Sequence, residues 1–219
     1  MRQTSLPALA LLSTLAAPAA AQPPPPAAAQ LQRPRGVQVM TLDSPAWPDG
    51  GQIPLEHTQP GRDVSPALSW SGAPEGVVSY VLMVRDLDQL IPATGEDTLH
   101  WLLWNIPATT TSLAGGMAQG NTVPAPAQGG GGGGLGPPRV PTDGPRQTSA
   151  TGPNYRGPAA PASGPAHHYA FEIYALDTWI DVAPFGQLPA VMRSAVTAAM
   201  AGHVRAKGVR VGLFRRPAP

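Results

Sequence analysis

The chain has 219 residues, with 14 Lys and Arg against 13 Asp and Glu, 25 Gly, 29 Pro and no cysteine. So even a balance gives no long-range pull toward nucleic acid or an anionic membrane surface, which excludes electrostatically driven binding to either. Without cysteine there is no disulfide framework and no thiol to carry a lipid, so the fold has to be held by packing alone.

Arg2 precedes a Leu/Ala-rich run that ends in Ala19, Ala20 and Ala21. This is the pattern of a secretory signal peptide over residues 1–21, cleaved before Gln22, and it predicts an exported protein, periplasmic or secreted. The apolar stretch from Leu6 to Leu15 contains Pro7 and falls short of the roughly 20 residues a membrane-crossing helix needs. No transmembrane segment is expected once the signal is removed. Residues 22–35, with four prolines at 23–26, read as an extended, disordered spacer. One domain is expected over 36–216, a length able to bury a real core. Within it the tract 115–153, with six glycines at 129–134, is expected to be a long mobile surface loop of low complexity.

The ordered segments read mainly as strands. VQVMTL (37–42), PALSW (66–70), VVSYVLMV (77–84), LHWLLWNI (99–106) and HYAFEIYAL (168–176) are short runs rich in Val, Ile, Trp, Tyr and Phe. Gly, Pro and Asp turns such as Pro48-Asp49-Gly50-Gly51 separate them. Several runs are apolar on both faces, which suits a sheet covered on both sides. The fold class is mainly β, an antiparallel sandwich. One helix is expected from Pro189, with Val191, Met192, Ala195, Val196, Ala199 and Met200 on its apolar face and Gly208 as its stop. VRVGLF (209–214) follows as a last strand.

Asp86, Asp88, His100, His167 and Tyr169 carry the chemistry. Asp86 and Asp88 are two apart, so in extended chain both side chains point to one side. If the strands holding them and His100 pair as an antiparallel hairpin, all three reach one rim of the sheet. His167 and Tyr169 share a face at the start of another strand, and His168 alternates away. Carboxylates beside imidazoles raise the histidine pKa values. Cationic histidines, a tyrosine hydroxyl and backbone N–H groups of the turn Gly157, Pro158, Ala159, Ala160 and Pro161 then make a receptor for a small or phosphate-bearing anion. The same residues offer a second reading as a zinc site with an open position, although they lack a compact His-x-x-x-His pair. His57, between Glu56 and Thr58, reads as solvated surface. No Gly-x-Ser-x-Gly elbow is present, and Lys207 is the only lysine, so neither a serine hydrolase nor a nucleotide-binding glycine loop is supported.

SPALSWSGAPEGVVSYVLMVRDLD (65–88), HWLLWNIP (100–107), YRGPAAPASGPAHHYAFEIYALD (155–177) and AGHVRAKGVRVGLF (201–214) occur in that order. Together they resemble the phosphatidylethanolamine-binding protein family in its bacterial Raf-kinase-inhibitor-like branch. The resemblance implies a β-sandwich with a C-terminal helix and a pocket for phosphate head groups or small anions, with no cofactor, no metal and no established turnover. It assigns the pocket to Asp86, Asp88, His100, His167 and Tyr169, with the turn residues Gly157, Pro158, Ala159 and Pro161. The chain departs from that pattern at Leu87 and Leu90, where the family carries prolines near its paired aspartates, and at His168, where it carries arginine. A ligand-binding protein is the first functional expectation. The alternatives are an inhibitor of a protease or other target enzyme acting through the pocket rim, and a metal-assisted hydrolase.

Overall fold

The computed structural model describes residues 36–120, 144–183 and 188–218. The expected signal peptide, the expected spacer and the glycine run of the low-complexity tract lie outside the described residues.

Among the described residues, ten strands and one α-helix occur in the order β1 (Gln38–Val39), β2 (Thr41–Asp43), β3 (Gly51–Gln52), β4 (Leu68–Ser71), β5 (Ser79–Leu90), β6 (Asp97–Pro107), β7 (Ser112–Leu113), β8 (Arg146–Thr148), β9 (His167–Leu176), α1 (Pro189–Met200) and β10 (Val204–Phe214). The larger sheet runs β1-β10-β9-β5-β6-β8, with β3 also pairing β10, and the smaller runs β2-β4-β7. The long strands pair antiparallel, whereas the two-residue β1 and β3 lie parallel to β10.

The run 37–42 is not one strand. Met40 is buried and its N–H donates to the Lys207 carbonyl (2.8 Å), and here the chain passes from the large sheet to the small one. Leu42 and Met40 can then join Trp70, Leu68, Tyr80, Leu82, Val84, Trp101, Phe171 and Ile173 in the core between the sheets. On the other face of the large sheet, Val81, Met83, Leu99, Leu102 and Trp104 pack against Met192, Val196 and Met200 of α1. This two-sided burial is why β5 and β6 read as nearly continuous apolar runs.

The helix begins at Pro189 as its sequence suggests, but its buried residues are Met192, Val196 and Met200, and Val191 is exposed. Its stop is also earlier. The chain leaves the helix through Gly202, whose φ is +80°, while Gly208 lies within β10, where a Cβ would stand 2.9 Å from the Met40 carbonyl oxygen. The tract 115–153 is likewise corrected at its ends. Arg146–Thr148 form β8 against β6, and the buried Gln147 accepts from Trp101 Nε1 (2.9 Å) while donating to the carbonyls of Ala118 and Gly120. Those partners come from two separate stretches of chain, which local composition cannot reveal.

Candidate functional site

Two β-bulges assemble the polar cluster. Val84 pairs with Trp101 and Arg85 with Leu99, so His100 is an extra residue without a partner on β5. The bulge lets Leu99 face the helix while Trp101 faces the inter-sheet core, and it re-aims His100. A second bulge separates the pairs Asp86–Thr98 and Leu90–Asp97, leaving residues 87–89 looped out. Asp86 itself stays in register opposite Tyr169 of β9.

The loop-out separates the two aspartates, contrary to the expectation from extended chain. Asp86 is fully buried, and its carboxylate accepts from His167 Nδ1–H (2.8 Å) and from the Asp88 backbone N–H (3.0 Å). Asp88 stands on the exposed rim, where its carboxylate accepts the backbone N–H (2.6 Å) and Nδ1–H (2.8 Å) of His168. The backbone N–H is the leading cause that holds the Asp88 carboxyl below its ordinary pKa. His168 thus has a role at the rim instead of facing away from the aspartates.

His100 is buried, and its ring meets that of Tyr169 edge-on at 5.1 Å, with His167 stacked 6.5 Å from the same tyrosine. Its Nδ1 lies 2.8 Å from the Arg156 carbonyl oxygen. A carbonyl only accepts, so Nδ1 carries the hydrogen. Nε2 is buried and has no partner. The expectation that the carboxylates raise this histidine's pKa is overturned: burial pushes it below 6.5, outweighing the Arg156 carbonyl and the Asp86 charge. The Tyr169 hydroxyl is raised instead, by burial first and then by Asp86.

The turn after Tyr155 is close to these groups, but its N–H groups are engaged. Gly157 N–H donates to Asp63 Oδ1 (2.6 Å), and the N–H groups of Ala159 (3.3 Å) and Ala160 (3.1 Å) donate to the Tyr169 hydroxyl. Pro158 and Pro161 have none, and Pro161 is exposed. The turn therefore braces Tyr169 and does not present free donors.

Behind it lies a second loop, which no local motif marks as part of the site. Gln59 donates from its backbone N–H to the Pro158 carbonyl (3.0 Å) and from Nε2 to the Gly157 carbonyl (2.7 Å), and the Tyr155 hydroxyl donates to the His57 carbonyl (2.8 Å). Asp63 adopts φ +53°, rare for a residue with a side chain but tolerated by aspartate. A Cβ on Gly157 would run into the His57 carbonyl oxygen and stand 2.8 Å from both Asp63 Oδ1 and Thr58 Cα, so only glycine fits there. His57 is corrected from surface to buried, with its Nδ1 2.8 Å from the Val64 carbonyl. Its polar neighbours misled, because the 3-10 turn Leu55–His57 points His57 inward while Leu55 and Glu56 stay exposed. Among the described residues, no three His, Asp or Glu side chains are grouped to hold a metal ion.

Comparison with known proteins agrees with this architecture. The profile described as Phosphatidylethanolamine-binding protein matches residues 43–215. The UPF0098 protein of Methanothermobacter thermautotrophicus is 32% identical over 177 residues, covering 81% of this chain and 99% of that one. A Mycobacterium tuberculosis protein named a lipoprotein, LppC, is 31% identical over 173 residues, 79% of this chain and 73% of its own length. Among solved structures, a phosphatidylethanolamine-binding protein homologue of Chlamydia trachomatis superposes with a TM-score of 0.60 at 25% identity, covering 82% of this chain and 99% of that one. Escherichia coli YbcL, at 24% identity with a TM-score of 0.62 over 81% of this chain and 98% of its own, shares the fold. The four ordered motifs, the sandwich and these matches agree: the chain belongs to the phosphatidylethanolamine-binding protein family.

Proposed function

We propose that this is an exported binding protein, not an enzyme, that holds a small oxyanion such as a phosphate-bearing head group between His100, His167 and Tyr169. The observation that carries the reading is the buried His100 ring, fixed at one nitrogen by the Arg156 carbonyl and left without a partner at the other. Buried polar atoms are nearly always satisfied, so an open one beside a part-exposed imidazole marks a place for a ligand. His167 is held by Asp86 in the same way through Nδ1, with the side chain 16% exposed, so its Nε2 edge is available to a bound group. Export is supported by the leader pattern of residues 1–21 and by the lipoprotein name of the LppC relative.

The test is calorimetry with inorganic phosphate and phosphorylethanolamine on wild type, His167→Asn and Glu75→Ala. Asparagine keeps an N–H toward the buried Asp86 but ends short of Nε2. The loss of one charge-assisted hydrogen bond, about 1.5–3 kcal/mol, weakens binding roughly tenfold or more. Glu75, exposed in the turn before β5, leaves affinity unchanged. Equal affinity for wild type and His167→Asn places the ligand elsewhere.

A further inference from the structure

The hydrogen-bond inventory of the site says more than that it accepts an anion. Of the residues around His100, Asp86 on β5 contributes a carboxylate, which only accepts. From β9 come Tyr169, whose hydroxyl oxygen accepts two N–H groups while its own O–H is taken by the Asp86 carboxylate, and His167, whose Nδ1–H is committed to Asp86. From the preceding turn, Arg156 presents its carbonyl to Nδ1 while its guanidinium charge disfavours the imidazolium, the Gly157 carbonyl also faces the ring and its N–H is held by Asp63, and Tyr155 donates away to His57. On the β8 side, Gln147 is engaged with Trp101, Ala118 and Gly120. No N–H of the turn 157–161 remains to meet an oxyanion.

His100 is the decisive group. With its hydrogen fixed on Nδ1, a neutral ring offers only a lone pair at Nε2, and that atom is buried without a partner. An oxygen bearing no hydrogen would meet lone pair against lone pair. We propose, building on the anion-binding reading above, that the site selects oxyanions that carry a proton, with the ligand's own O–H donating to His100 Nε2. It then distinguishes hydrogen phosphate, or a phosphomonoester in its monoanionic form, from sulfate and phosphodiesters, which have the same tetrahedral shape but no O–H at neutral pH. A site built to receive a hydroxyl rejects the analogue that lacks one because its buried acceptor is left unpaired.

For an unprotonated oxyanion the missing hydrogen has to come from solvent, by converting His100 to the imidazolium. Burial disfavours that form in the free protein, so the route opens only on acidification and takes up one proton for each anion bound.

Calorimetry on the mature chain with inorganic phosphate and with sulfate, at pH 7.5 and 5.5, each in two buffers of different ionisation enthalpy, reads affinity and proton uptake together. At pH 7.5 phosphate binds about tenfold or more tighter than sulfate. At pH 5.5 the gap narrows and sulfate binding takes up close to one proton. His100→Gln, which turns an amide N–H to the ligand in place of a lone pair, brings sulfate within about threefold of phosphate at pH 7.5. The wild-type comparison stands if that variant does not fold. Equal affinities for the two anions at pH 7.5, or sulfate binding at pH 5.5 without proton uptake, overturn the proposal while leaving an anion site. Binding of neither anion overturns the anion-binding reading and this inference with it.

Discussion

At the scale of single residues, the candidate site is braced by groups that lie outside it. Asp63 is 94 residues from Gly157, yet its carboxylate takes the Gly157 N–H at 2.6 Å from a left-handed backbone conformation. Asp63→Ala leaves a buried N–H unpaired and places alanine where φ is positive, so it costs about 1–3 kcal/mol from the lost partner alone, with backbone strain added. Asp63→Asn keeps an acceptor and tolerates the conformation, and it costs clearly less. Urea denaturation of both variants checks the order, and equal losses would show that the hydrogen bond contributes little. Nothing in the sequence around Asp63 marks it, because a side-chain bond to a turn 94 residues away has no local signature. His100, His167 and Tyr169 were legible because each opens a strand or sits near a strand start, where a polar residue interrupts an apolar run.

At the scale of elements, the alternation of residues identified the long strands but not their register. Register is set by the partner strand, and one extra residue reverses which face the following side chains occupy. That is why the paired aspartates, two apart in sequence, part company: the looped-out residues 87–89 leave Asp86 buried and Asp88 on the rim with His168. The helix shows the same limit. Its period was legible, but the choice of Met192, Val196 and Met200 over Val191 depends on how it lies on β5 and β6. Val196→Ala removes two fully buried methyl groups' worth of packing and costs about 1–2.5 kcal/mol. Val191→Ala, at a residue 46% exposed, stays within about 0.5 kcal/mol. Thermal unfolding of the two variants decides it, and a larger loss at Val191 would mean that the helix docks through a different face.

At the scale of the whole molecule, the large sheet is covered on one face by the small sheet and on the other by α1, and without disulfides this packing must carry all of the stability. Burying His100 at the edge of the inter-sheet core therefore makes the fold sensitive to acid. The folded-state pKa of His100 is depressed below 6.5, with burial as the leading cause. Above pH 6.5 both folded and unfolded chains hold it neutral, and the full stability is present. As pH falls below 6.5 the unfolded chain takes up a proton that the folded chain resists, so stability is lost toward the folded pKa, by at most about 1.4 kcal/mol per pH unit for one group. Between pH 7.5 and 5.5 His100 therefore lowers the melting temperature, because only the unfolded chain takes up its proton freely. His100→Gln has nothing to titrate at that position, so its melting temperature should fall less than that of wild type over the same interval. Melting curves of both proteins at the two pH values, in buffer free of phosphate and sulfate, isolate the contribution of this one ring from that of the other histidines. Parallel losses in the two proteins would mean that His100 accepts its proton in the folded state as readily as in water, and that its unpartnered nitrogen is not held as a neutral acceptor.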